Sequence, residues 1–122
     1  QAAAAEALGG SQDCVAPMMR EFGKRRDFIV DRLNRIPGVR CLRPQGAFYV
    51  FPNVAAYMGK SWSGGRIENG DHLALYLLQE AHVAVVGGTD FGYPDHIRIS
   101  YPNSLENLGA GADKIEAALA KL

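Results

Sequence analysis

Apolar residues recur at Val15, Met19, Phe22, Ile29, Leu33 and Ile36, a 4-3-7-4-3 spacing that draws one stripe along a helix of roughly five turns. The other face carries Arg20, Glu21, Lys24, Arg25, Asp27, Asp31, Arg32 and Arg35, a solvated surface. Pro17 belongs in a first turn, so the spacing predicts regular helical bonding from residues 16–17, and Pro37-Gly38 ends it. Ahead of this helix, Gly9-Gly10 closes a shorter alanine-rich one that starts at Gln1 without a capping residue. That opening reads as a helix entered part-way, or as a chain from which a leader has been removed.

After Pro37-Gly38 the period changes to that of strands. Val39–Leu42 and Ala47–Pro52 flank a Pro44-Gln45-Gly46 turn and are expected to pair as a hairpin. Asn53–Asn69 is a long connection around Trp62, which can either anchor the loop or cover a ligand. Asn69 or Asp71 then caps a helix through Glu80, with Leu73, Tyr76 and Leu77 at helical spacing. Val83–Val86 is expected as a strand, turning through Gly87-Gly88 into the alternating strand His96–Tyr101. Ser104 caps a last helix lined by Leu105, Leu108, Ile115 and Leu119, softened by Gly109 and Gly111. The order α-α-β-β-α-β-β-α implies one α+β domain, a two-layer sandwich with a small mixed or antiparallel sheet covered by helices mainly on one face.

The chain's 122 residues suffice for one domain burying roughly two thirds of its unfolded surface. Thirteen basic and thirteen acidic side chains cancel, which argues against a nucleic-acid partner. No apolar run reaches the roughly 20 residues a membrane helix needs, and no signal-peptide pattern is present. Cys14 and Cys41 have no CxxC spacing and read as small buried hydrophobes in a reducing, cytoplasmic compartment. His72, His82 and His96 show no metal-ligand spacing, so no metal site is expected. Neither a dinucleotide nor a phosphate-loop pattern occurs.

One candidate for chemistry remains. Arg98 sits mid-strand, on the face opposite Ile97 and Ile99. It is either a solvated strand arginine or a rigid fork for a carboxylate.

Four stretches together resemble the carboxy-terminal part of the class I, fold-type I aminotransferases of the aspartate aminotransferase type. They are Arg25-Arg26-Asp27 with Leu33 and Ile36-Pro37-Gly38; Pro44–Pro52; Val83–Val86 with Gly88 and Phe91-Gly92; and Ile97-Arg98-Ile99-Ser100-Tyr101. Gln1-Ala2-Ala3 with Ala7-Leu8 is similar to the family's helix leaving the large domain. The resemblance implies that residues 1–10 end that helix and that 11–122 form the small domain. It implies pyridoxal 5'-phosphate in the full-length enzyme, transfer of an amino group between an amino acid (aspartate or a related or aromatic one) and a 2-oxo acid, and a homodimer when intact. By the same resemblance Arg98 binds the substrate's α-carboxylate, and Phe91 and Phe48 lie near the substrate.

Two departures bear on this. Family members usually carry proline where Gly87 stands. The cofactor-holding lysine belongs upstream, and Lys24, Lys60, Lys114 and Lys121 all read as solvated. The chain alone is therefore expected to hold no cofactor and to be inactive. Acyltransferases of the same fold stay open, as does a stand-alone α+β module that senses a small acid through Arg98 without catalysis.

Overall fold

The computed structural model describes residues 1–122. Helices α1 (Ala2–Gly9) and α2 (Val15–Leu33) lead into strand β1 (Tyr49–Val50) and the short hairpin β2 (Ser61–Trp62) and β3 (Gly65–Arg66). Helix α3 (Gly70–Ala81), strands β4 (Val86–Gly87) and β5 (Ile97–Ser100), and helix α4 (Leu105–Leu119) complete the chain. The main sheet runs β1-β5-β4, antiparallel throughout, with β5 in the centre. Tyr49 faces Ser100, Val50 faces Ile99, Val86 faces Arg98 and Gly87 faces Ile97.

Alternation along β5 assigns the two faces of this sheet. Ile97, Ile99 and Tyr101 are buried and meet a core built from Ile29 and Leu33 of α2, Leu73 and Leu77 of α3, and Ile115 and Leu119 of α4. Burying each such side chain contributes about 1.5–3 kcal/mol. The three helices therefore cover one face, giving the expected two-layer α+β architecture.

The caps follow the sequence. Asn69 is the residue that opens α3, its side chain accepting from the His72 N–H at 2.9 Å. Ser104 Oγ accepts from the Asn107 N–H at 3.1 Å and opens α4. At the other end of α3, His82 adopts a left-handed conformation (φ 54°) and the Val83 N–H bonds back to Leu77 O. The chain is still closing a helix there, so β4 begins at Val86 rather than Val83.

The first expected hairpin does not form. Val39–Leu42 makes only an isolated bridge, Arg40 with Asn53. Beyond that bridge, on the opposite edge of the stretch, Asn34 Oδ1 accepts from the Cys41 N–H at 2.8 Å while its Nδ2 donates to Cys41 O at 2.9 Å. A side chain thus satisfies the backbone groups on the edge that faces away from Asn53. The second stretch pairs instead with β5, and bonds from Tyr101 N to Phe48 O and from Ile97 N to Pro52 O extend that ladder past β1.

The apolar stripe of α2 is covered along half its length. Ile29, Leu33 and Ile36 are buried, whereas Val15 and Met19 are exposed and Phe22 is half-buried. Helix α1 buries no residue at all. The long connection holds one 3-10 turn (Ala55–Tyr57) besides the β2–β3 hairpin, and Trp62 packs edge-on against Tyr76 of α3 at 5.6 Å, which anchors the loop. Cys41 is buried as expected; Cys14 is exposed, because the start of α2 has nothing packed over it. Both thiols are free.

Candidate functional site

Arg98 stands on the central strand, on the sheet face that no helix covers. Its row across the sheet begins with Val86 on β4. Carrying the β1–β5 register on to the Asn53–His96 bridge puts Phe51 opposite it on the other side. Tyr49 is then its diagonal neighbour on the same face, within reach of a long side chain. The Arg98 guanidinium carbon lies 5.4 Å from the Tyr49 ring centre and 5.0 Å from that of Phe91.

The turn that delivers Phe91 is fixed by backbone and by close packing. Gly88 O accepts from the N–H groups of Phe91 and Tyr93, both at 3.0 Å, and Gly92 takes a left-handed φ of 79°. At Gly88 a Cβ would overlap the carbonyl oxygens of Tyr93 and His96, and at Gly70 it would overlap that of His96. Gly87 leaves a Cβ no room against Asp71. These three glycines let the start of α3, the end of β4 and the 93–96 loop meet, and they hold the turn beside Arg98.

Around the arginine the surface is aromatic. Phe51 stacks on His96 at 5.0 Å and meets Phe91 and Tyr93 edge-on, each at 5.9 Å. His96 Nδ1 lies 2.6 Å from Asp95 Oδ1, and Asn53 Nδ2 donates to Asp95 Oδ2 at 2.7 Å. The contact with His96 first, and then that with Asn53, holds the Asp95 carboxyl below its ordinary range. Asp95 is thereby engaged by its own neighbours, and Arg98 belongs to none of the chain's ion pairs.

Arg98 Nε–H is buried and has no hydrogen-bond partner within the chain. A buried donor left unmade costs about 1–3 kcal/mol, more when charged. The geometry therefore offers a planar cation, rigid at its base, framed by two rings and short of an acceptor. A carboxylate matches it in charge, plane and bidentate spacing.

Of the residues singled out in the sequence, Arg98 and Phe91 come together. Phe48 lies apart from that pair, in a cleft of about 420 Å³ that α2 forms through Met18, Met19 and Phe22 with the Gln45–Ala47 turn. Nothing in the local sequence marks Tyr49 as a site residue. Alternation in 47–51 places it on one face with Phe51, but only the register reveals its diagonal to Arg98.

The four lysines are all exposed, and Lys24 is paired with Glu21 at 2.7 Å. None has the desolvated pocket that a covalently held cofactor requires, so these 122 residues do not fit as its seat. No three His, Cys, Asp or Glu side chains converge as a metal site, and no helix is long and apolar enough to cross a membrane.

Comparison with known proteins gives the site a family setting. Residues 1–115 match the family model described as aminotransferase class I and II. The aspartate aminotransferase of Rhizobium meliloti (strain 1021) is 43% identical over the whole of this chain, which covers 30% of that protein. An aspartate/prephenate aminotransferase from Cereibacter sphaeroides is 42% identical, again over the whole chain and 31% of the relative. The crystal structure of the aspartate aminotransferase from Rhizobium meliloti superposes with a TM-score of 0.90 at 42% identity, over 99% of this chain and 30% of that one. An alanine aminotransferase from Pyrococcus furiosus gives 0.82 at 33% identity, over 96% of this chain and 28% of that one. The chain thus spans about 30% of the length of the relatives it matches.

Proposed function

Because the chain belongs to the class I and II aminotransferases, we propose that it acts as the carboxy-terminal small domain of a full-length enzyme moving an amino group between an amino acid and a 2-oxo acid. Aspartate, or a related or aromatic amino acid, is the proposed donor, in keeping with relatives named for aspartate, aspartate/prephenate and alanine. Within that enzyme Arg98 receives the substrate's α-carboxylate. One observation carries the assignment: a strand-borne guanidinium on the helix-free face, with a buried Nε–H and no acceptor of its own.

Family membership implies pyridoxal 5'-phosphate in the full-length enzyme, where it serves as the electron sink for chemistry at the substrate's α-carbon. This chain's residues bind and orient. A bidentate carboxylate on Arg98 fixes both the position and the plane of the substrate, which sets the direction of its Cα–H bond. The rings of Tyr49, Phe51 and Phe91 exclude water from that contact. Residues 1–10 lead in from the large domain, residues 11–122 close over the substrate, and the intact enzyme is a homodimer. Two unpaired thiols, one exposed, suit a reducing cytosolic setting.

The test uses the full-length enzyme and residues 1–122 alone. Amino transfer by the former and none by the latter is expected. Arg98→Ala should remove about 2–5 kcal/mol of substrate interaction, or roughly 10²-fold or more in kcat/KM. A loss below about threefold contradicts the assignment. Carboxylate binding by residues 1–122 alone, without any transfer by the longer protein, would favour a small-acid-binding module instead.

A further inference from the structure

We propose that Phe91 and Tyr49 are positioning residues that act through Arg98, bracketing its guanidinium from the elements on either side of β5 so that it presents a fixed plane to a carboxylate. The inference rests on the assignment of Arg98 as the carboxylate site and goes beyond it, since it changes what the two rings do.

The geometry supports it from both sides. Tyr49 comes from β1 and Phe91 from the turn after β4, the two neighbours of β5 in the sheet. Their ring centres lie 5.4 and 5.0 Å from the guanidinium carbon, inside the roughly 6 Å at which a cation is attracted to a ring face. No carboxylate of the chain shares in holding the arginine. That distinction matters chemically. An acidic partner would fix the side chain but occupy donors and neutralise its charge, whereas aromatic faces fix it and leave every N–H free. Arg98 Nε–H, buried and unpartnered, shows the outcome: an oriented cation whose donor capacity is unspent. The rings are themselves supported, Phe91 edge-on to Phe51 and Phe51 stacked on His96.

A ring acting through Arg98 predicts a different response from one touching the substrate. Loss of the ring should weaken carboxylate binding alike for every amino-acid side chain. The effect should also vanish once the arginine is gone. A double-mutant cycle separates the two.

The experiment measures kcat and KM of the full-length enzyme for two amino acids with different side chains. Variants are Phe91→Leu, Phe91→Met, Tyr49→Leu and Tyr49→Phe, each with Arg98 and with Arg98→Ala. Two replacements at position 91 keep the test alive if one fails to fold, and urea unfolding midpoints report on folding. With Arg98 present, Phe91→Leu, Phe91→Met and Tyr49→Leu should each lower kcat/KM by about 5- to 20-fold, mostly through KM, and equally for both substrates. Tyr49→Phe keeps the ring and should stay within about twofold. In the Arg98→Ala background the same losses should shrink to about twofold or less. Equal losses in both backgrounds, or a loss confined to one substrate, would overturn the proposal and leave the carboxylate assignment standing. An Arg98→Ala change that costs less than about threefold would overturn both.

Discussion

Gly87 of β4 lies so close to Asp71 of α3 that a methyl group on its Cα would fall on the Asp71 carboxylate and backbone. Val86, its neighbour, pairs with Arg98. The glycine therefore sets how near β4 can approach the start of α3, and hence where the strand beside the arginine runs. Gly87→Ala should destabilise the protein by about 1–3 kcal/mol, as overpacking of a tight contact does, measurable by urea unfolding. Unchanged stability would show that α3 can move away without cost.

Asn34 substitutes for a missing strand. Its two bonds hold the Cys41 backbone on the edge of Val39–Leu42 that faces away from the Arg40–Asn53 bridge. Asn34→Ala leaves both groups unpaired and should cost about 1–3 kcal/mol, with faster hydrogen exchange at the Cys41 amide. An unaltered exchange rate there would argue that the backbone is satisfied in another way.

Cys41 gives the chain an alkaline weakness. Burial pushes its thiol from 9.0 up to about 11. A raised value in the folded state means that the thiol's contribution is complete below about pH 9 and is lost as the pH rises through about 11. Tyr57, Tyr76 and Tyr101 are also raised by burial, so the readout is a difference between two proteins. The stability gap between the parent and Cys41→Ala should narrow between pH 9 and 11. A gap independent of pH in that window would contradict the buried thiol.

The helices, their caps and the alternation of β5 could be read from the chain because each depends on residues a few positions apart. Asn69 and Ser104 are such local signals, and so is Arg98 between Ile97 and Ile99. What could not be read depended on distant partners. Val39–Leu42 has strand-like composition, yet it meets the sheet only through the Arg40–Asn53 bridge. Val83 looks like strand sequence and is spent closing α3 behind His82. Cys14, at the cap of α2, and the stripe's first positions, Val15 and Met19, are exposed because no element packs over the start of that helix. The same holds at the site. Arg98 was visible as a strand arginine, while Tyr49 became its neighbour only through the pairing of β1 with β5. Spacing alone does not separate a carboxylate fork from a solvated arginine; the resemblance spread over four stretches does.

The measurement that bears most directly on the central claim removes the carboxylate from the substrate as well as the arginine from the enzyme. The full-length enzyme and its Arg98→Ala variant would be assayed with an amino acid and with the matching primary amine that lacks the α-carboxylate. Arg98→Ala should lose roughly 10²-fold or more in kcat/KM on the amino acid and less than about threefold on the amine, which has no carboxylate to lose. Equal losses on both substrates would mean that Arg98 supports the fold or the chemistry in some other way, and a loss below about threefold on the amino acid would mean that it does not bind the substrate at all.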